Sequence, residues 1–164
     1  MQHATFRNLG HPQGLECQMN TPIRRLEGIS YWVIEGPEAI GDYVNTEIRK
    51  EWEYDAKCTP NDPAGGAWLA TLSKRNWRLE IVNTSDLMLD EEMLTFVDSK
   101  TGYDFAERLS QRREELRRSI QLWGRVIWPI IVRREDMQVL DGYCRFTALK
   151  EMGVQRIFAY LGTL

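Results

Sequence analysis

Histidine and cysteine are scarce in this chain of 164 residues, which holds two of the first and three of the second. Cys17, Cys58 and Cys144 are odd in number and far apart, so neither a disulfide framework nor a zinc-finger spacing follows from them. His3 and His11 stand in a polar opening stretch broken by Gly10, Pro12 and Gly14, with no second ligand type clustered beside them, so they read as loop histidines. No basic segment leads into an apolar run at the start, and no apolar run approaches the length of a membrane span. A cytoplasmic, reduced protein with no membrane partner is therefore expected.

Other absences narrow the chemistry. No G-x-x-x-x-G-K-[ST] phosphate loop, serine nucleophile elbow or H-E-x-x-H helix occurs, and no internal repeat is visible. There is no excess of basic residues either, since the formal net charge is −3. The two parts of the chain differ, however: residues 1–100 carry a net −6 and residues 101–164 a net +3. Whatever affinity exists for anions is expected in the later part.

What is present predicts one α/β (α+β) fold, a small mixed β-sheet with packed helices. The length suits one core with an N-terminal elaboration, divided as 1–76 and 77–164. Ile29 to Ile34 is a strand, and a helix from Glu38 carries Ile40, Tyr43, Val44, Ile48 and Trp52 at three-to-four spacing. Residues 58–66, with two prolines and two glycines, read as a joint. Ala67 to Lys74 reads as a short helix. Trp77 to Val82, Ile130 to Arg133, Gln138 to Leu140 and Arg156 to Tyr160 are the expected core strands. Tyr103 to Trp123 is the expected long helix, with Phe105, Leu109, Leu116, Ile120 and Trp123 on its apolar face and Gly124 as its stop. Its other faces carry Arg108, Arg112, Arg113, Arg117 and Arg118. Such a face either tracks a nucleic-acid backbone, with Arg112, Arg113 and Arg117 as candidates, or is solvated and laced with i,i+4 ion pairs, for which Glu114/Arg118 and Asp104/Arg108 have the spacing.

The chemistry is expected between the last two core strands. Asp141-Gly142-Tyr143-Cys144-Arg145 stands where Gln138 to Leu140 gives way to a short helix that Gly153 ends. A helix opening after a glycine offers unpaired N–H groups and the positive end of its dipole, and a first-turn arginine adds a planar fork for phosphate oxygens. The competing structural reading makes Arg145 the partner of a buried carboxylate, Asp141 or Glu151.

Gly142 to Ala148, preceded by Asp141 and followed by Gly153, resembles the G-x-x-R-x-x-A element of the ParB/sulfiredoxin-like superfamily. The resemblance extends over Trp77 to Leu161. It implies a nucleotide-binding core in which Gly142, Tyr143, Cys144, Arg145 and Thr147 hold phosphate. The ligand would be a nucleoside di- or triphosphate (ATP, ADP or CTP), with or without Mg²⁺. It leans toward an enzyme, an NTPase or a kinase-type phosphotransferase, with Asp141, Glu91 and Glu92 as candidate catalytic carboxylates. The alternative is a non-catalytic DNA- or nucleotide-binding module related to partition proteins. The departures count as well. Sulfiredoxins place their catalytic cysteine two residues before the arginine, where this chain has Tyr143, so sulfinic-acid repair is not expected and Cys144 reads as a filler. Nothing in the residues supports a nuclease.

Overall fold

The computed structural model describes residues 21–50 and 69–164. The polar opening stretch, Trp52, Cys58 and the expected joint at 58–66 lie outside the described residues. The first elements are a hairpin, β1 (Ile23–Leu26) and β2 (Ile29–Trp32), paired antiparallel. Its two-residue turn takes positive φ at both positions, 49° at Glu27 and 80° at Gly28. β1 is absent from the sequence reading because Ile-Arg-Arg-Leu has no apolar alternation, and three of its four residues are exposed. The hairpin is fastened to the chain ahead of the core sheet, where Trp32 N donates to Ile127 O (2.9 Å) and Ile127 N to Ser30 O (3.0 Å).

Helix α1 (Pro37–Tyr43) starts with proline in its first turn, where the missing N–H has no helical acceptor to lose, and buries Ile40 and Tyr43. It widens into a π-helical turn at Val44–Ile48. A cause is visible there: Asn45 Nδ2 donates to Gly41 O and Thr46 Oγ1 to Asp42 O. Two successive side chains thus take carbonyls that backbone N–H groups would use in an α-helix. After the short α2 (Leu69–Leu72) comes β3 (Asn76–Asn83). A single 3-10 turn (Thr84–Asp86), the short α3 (Glu91–Leu94) and a two-residue ladder of β4 (Val97–Asp98) with β5 (Tyr103–Asp104) follow. The long helix α4 runs Phe105–Trp123, capped by Asp104, whose carboxylate accepts from Glu107 N. Tyr103 and Asp104, expected in this helix, are its preceding strand. Then come β6 (Ile130–Arg133), β7 (Gln138–Asp141), α5 (Tyr143–Glu151) and β8 (Arg156–Thr163).

The core is one four-stranded mixed sheet in the order β3-β8-β6-β7, so the fold is α+β. β3 pairs antiparallel with β8, β8 parallel with β6, and β6 antiparallel with β7. The four expected core strands are those of this sheet. Because strand side chains alternate, each strand feeds both faces. Ile130, Val132, Val139, Ile157, Ala159 and Leu161 join Leu109, Leu116 and Ile120 of α4 and Phe146 and Leu149 of α5 in one apolar cluster. Ile131, Leu140, Trp77 and Tyr160 join Ile40, Tyr43, Val44 and Ile48 in the second. The ring of Tyr43 stacks on Trp128 at 4.9 Å, and Tyr160 Oη accepts from Ile34 N.

One residue of the expected apolar face stands elsewhere: Trp123 is 82% exposed. Helix periodicity puts it above the same face as Leu116 and Ile120, but α5 has 9 residues against 19 in α4. Among the described residues, α5 therefore ends short of the last turn of α4.

Candidate functional site at the turn before α5 and on the arginine face of α4

The turn joins the edge strand β7 to a helix. β7 ends at Asp141, and Gly142 forms the N-cap of α5 at φ 104°, with no side chain bonded to the first-turn N–H groups. This backbone conformation strongly favours glycine. Space demands glycine as well: a Cβ here would stand 2.7 Å from Ile130 Cγ2 and 2.9 Å from Arg145 Nη2.

The Arg145 guanidinium lies inside the protein, the residue being 4% exposed. Its Nη1 donates to Trp128 O (2.9 Å) and Pro129 O (3.0 Å), and its Nη2 to Asp141 Oδ2 (2.7 Å). Four residues on from Asp141, the arginine sits under the turn rather than over it. Of the two roles weighed for it, the structure shows the pairing with a carboxylate. Of the two carboxylates weighed as partners, Asp141 holds the arginine, while Glu151 accepts from Arg113 at 3.0 Å. Arg145 Nε is buried and has no hydrogen-bond partner among the described residues.

The other residues of the motif are also engaged by the fold. Tyr143 packs edge-on against Phe105 at 5.7 Å, and its hydroxyl accepts from Asp90 N at 3.0 Å. Burial pushes the Cys144 thiol up to about 11, outweighing the opposing fields of Arg145, Arg112 and Arg113. At neutral pH it is a protonated filler. Thr147 Oγ1 donates to Tyr143 O at 2.7 Å, and Ala148 is fully buried. Tyr143 through Phe146 are all buried, which leaves Asp141 and Gly142 as the partly exposed part of the turn.

Of the candidate carboxylates, Asp141 is paired with Arg145. Glu91 and Glu92 are exposed on α3, whose cap Asp90 accepts from Glu92 N. The Asp90–Tyr143 bond brings the backbone of α3 against the start of α5, but no hydrogen bond or ion pair links Glu91 or Glu92 to the turn. Among the described residues, no group of three His, Cys, Asp or Glu side chains could hold one metal ion.

The arginines of α4 divide into two flanks. Arg113 is tied to Glu151 of α5, and Arg117 donates to both Glu114 and Gln121. Arg108, Arg112 and Arg118 have no hydrogen-bond or ion-pair partner among the described residues. At 3.6 residues per turn these three fall within an arc of about 120°, on the side of the helix away from Arg113 and Arg117. Glu115 is the acid within that arc. The i,i+4 pairs expected from spacing, Glu114/Arg118 and Asp104/Arg108, are not made: Glu114 holds Arg117 three residues on, and Asp104 caps the helix at Glu107 N. Of the arginines named from sequence as nucleic-acid candidates, Arg113 and Arg117 are therefore paired, and Arg112 is unpaired among the described residues.

No helix among the described residues is long and apolar enough to cross a membrane. No protein-family model matches the chain, and no curated protein matches it. Among solved structures it is similar to the C2221 form of a pNOB8-like ParB N-domain, with 23% identity and a TM-score of 0.40, over 55% of this chain and 30% of that one. A second structure of a pNOB8-like ParB N-domain gives 23% identity and a TM-score of 0.39, over 55% of this chain and 29% of that one. The chain thus spans less than a third of the length of the solved chains it matches, and over that part it is similar to ParB N-domains.

Proposed function

We propose that this chain is a phosphate-recognising binding module whose partner is a nucleic acid, held without turnover on the unpaired flank of α4. The observation that carries this reading is the set Arg108, Arg112 and Arg118, three guanidinium groups on one side of a helix with no partner among the described residues. Arginine left unpaired on a surface keeps its donors for phosphate oxygens. The carboxylates near the turn favour binding over catalysis, since Asp141 is committed to Arg145 and Glu91 and Glu92 point to solvent. A cytoplasmic setting, expected from the sequence, belongs to this proposal. The test is fluorescence anisotropy with a labelled oligonucleotide across a salt series. Three phosphate contacts give a slope of about −2 to −3 in log affinity against log salt. Absence of binding at low salt would overturn the reading, as would a slope that survives the triple change of Arg108, Arg112 and Arg118 to Gln.

A second reading is favoured by a separate observation, the buried and unpartnered Arg145 Nε below a helix start that no side chain caps. A nucleoside di- or triphosphate, ATP, ADP or CTP with or without Mg²⁺, would then lie over Gly142 on the N–H groups of α5 and the field of the buried guanidinium. Hydrolysis or phosphoryl transfer would require Asp141 to leave Arg145. A thermal-shift panel of the three nucleotides with and without Mg²⁺ tests it, because a ligand at a hundred times its dissociation constant stabilises by about 2.7 kcal/mol. A flat panel removes the nucleotide. A shift without release of inorganic phosphate leaves binding alone.

A further inference from the structure

We infer that the nucleic acid taken by α4 is single-stranded, with a base stacked on Trp123; this rests on the reading of the arginine flank above. Trp123 ends α4 and is 82% exposed, and its neighbour Leu122 is 64% exposed. The ring is in no aromatic or cation–π contact among the described residues. Gly124 takes the left-handed conformation and bonds back to Ile120 O, so the helix stops and the indole stands at its tip. Arg125 follows, its N–H bonded to Ser119 O, with no partner for its guanidinium among the described residues.

Helical geometry links the ring to the charges. Arg108 to Trp123 spans roughly 22 Å along the axis, and round the helix the ring stands about 20° from the direction of Arg112, 60° from Arg108 and 140° from Arg118. A cationic track ending in a flat aromatic surface matches a strand that offers phosphates along one edge and an unstacked base at one point. A duplex offers a base face to the ring only by unstacking a step, at a cost of about a few kcal/mol, whereas a single strand offers one freely. The strand's negative charge complements the arginines, with Glu115 the single acid on their arc.

The experiment measures binding of a dT oligonucleotide of about 12 residues, and of the duplex it forms with dA, to the whole chain by anisotropy. Wild type, Trp123→Ala, Trp123→Phe and Arg118→Gln are compared, with sedimentation velocity on each. The expected result is tighter binding of the single strand, a loss of about 5- to 150-fold in Trp123→Ala for that strand alone, and recovery in Trp123→Phe. Arg118→Gln weakens both ligands. If Trp123→Ala binds the single strand as wild type does while Arg118→Gln still weakens it, the stacking inference fails and the arginine reading stands. If wild type binds neither ligand, the arginine reading itself fails. If wild type is a dimer that Trp123→Ala dissolves, the Leu122–Trp123 patch belongs to a second copy of the chain, and the inference is overturned.

Discussion

Arg145 and Arg118 are the same residue type 27 positions apart, and the fold uses them in opposite ways. Arg145 has a buried head group and three protein acceptors, one of them the Asp141 carboxylate. Arg118 sits on a solvated helix flank with no acceptor among the described residues. A buried, paired guanidinium is held chiefly by its surroundings, and removing one member leaves uncompensated polar groups in the interior. A solvated one contributes little to folding and is open to an external anion. The glycine-arginine spacing therefore marks where the backbone turns into α5, while burial decides whether the arginine meets the ligand or the chain.

The strongest way to break that contrast is to remove Arg145. Arg145→Ala strands Asp141 and the carbonyls of Trp128 and Pro129, and breaking a buried pair costs about 3–5 kcal/mol. For a chain of this size that lowers Tm by roughly 6–20 °C, read by calorimetry without ligand. Asp141→Asn, which keeps the shape and loses the charge, is expected to cost less, about 1–3 kcal/mol. Gly142→Ala should cost a comparable amount, since its Cβ meets Ile130 and the positive φ adds strain. An Arg145→Ala protein that melts with wild type would show that the guanidinium is not a structural tie and would return it to the ligand.

Much of this layout was legible in the sequence. The sheet strands follow from β-branched runs at Ile130 to Val132 and Arg156 to Tyr160, and α4 from its three-to-four spacing, because burial on one face enforces both periods. The hairpin at Ile23–Trp32 was half missed: its first strand is polar, and a Glu-Gly turn lacks the usual asparagine or aspartate. Trp123 was misplaced because periodicity gives a direction around a helix and says nothing about whether a neighbour reaches that far along it. At the turn, the positions were found but the direction of the arginine was not. Its acceptors are backbone carbonyls of Trp128 and Pro129, and carbonyl orientation leaves no trace in residue identity.

A smaller effect distinguishes the turn by pH. The Cys144 thiol titrates near 9 when the chain is unfolded and near 11 when burial holds it. Between those values the folded chain keeps a proton that the unfolded chain has released, so stability falls as pH rises from 9 to 11. The loss at the upper end is up to about 2–3 kcal/mol. Tyr31 and Tyr160 are also raised by burial, so stability continues to fall above pH 10 whatever stands at 144. Urea midpoints of wild type and Cys144→Ala should therefore converge from pH 9 toward pH 10 before both decline. Parallel curves across that window would mean that the thiol is open to solvent.

The smallest change sharpens the comparison within α4 itself. Arg118 and Arg117 are adjacent in sequence, yet Arg117 is bound to Glu114 and Gln121 while Arg118 has neither ion pair nor hydrogen bond among the described residues. The Glu114 side-chain hydrogen bond and charge raise the Arg117 guanidinium further above its usual range, and Glu114 is lowered in return, as expected of a cation already occupied. If free donors are what a phosphate meets, Arg118→Gln should reduce the slope of log affinity against log salt by about 1, weakening all sequences alike. Arg117→Gln should leave the slope within error, because a phosphate would have to displace an acid that is held in place by the helix. Both variants should keep the wild-type Tm, since neither head group is buried. Equal slope losses in the two variants would mean that the Glu114 pair opens freely in solution, and the whole arginine surface, rather than one flank, would then be the binding face.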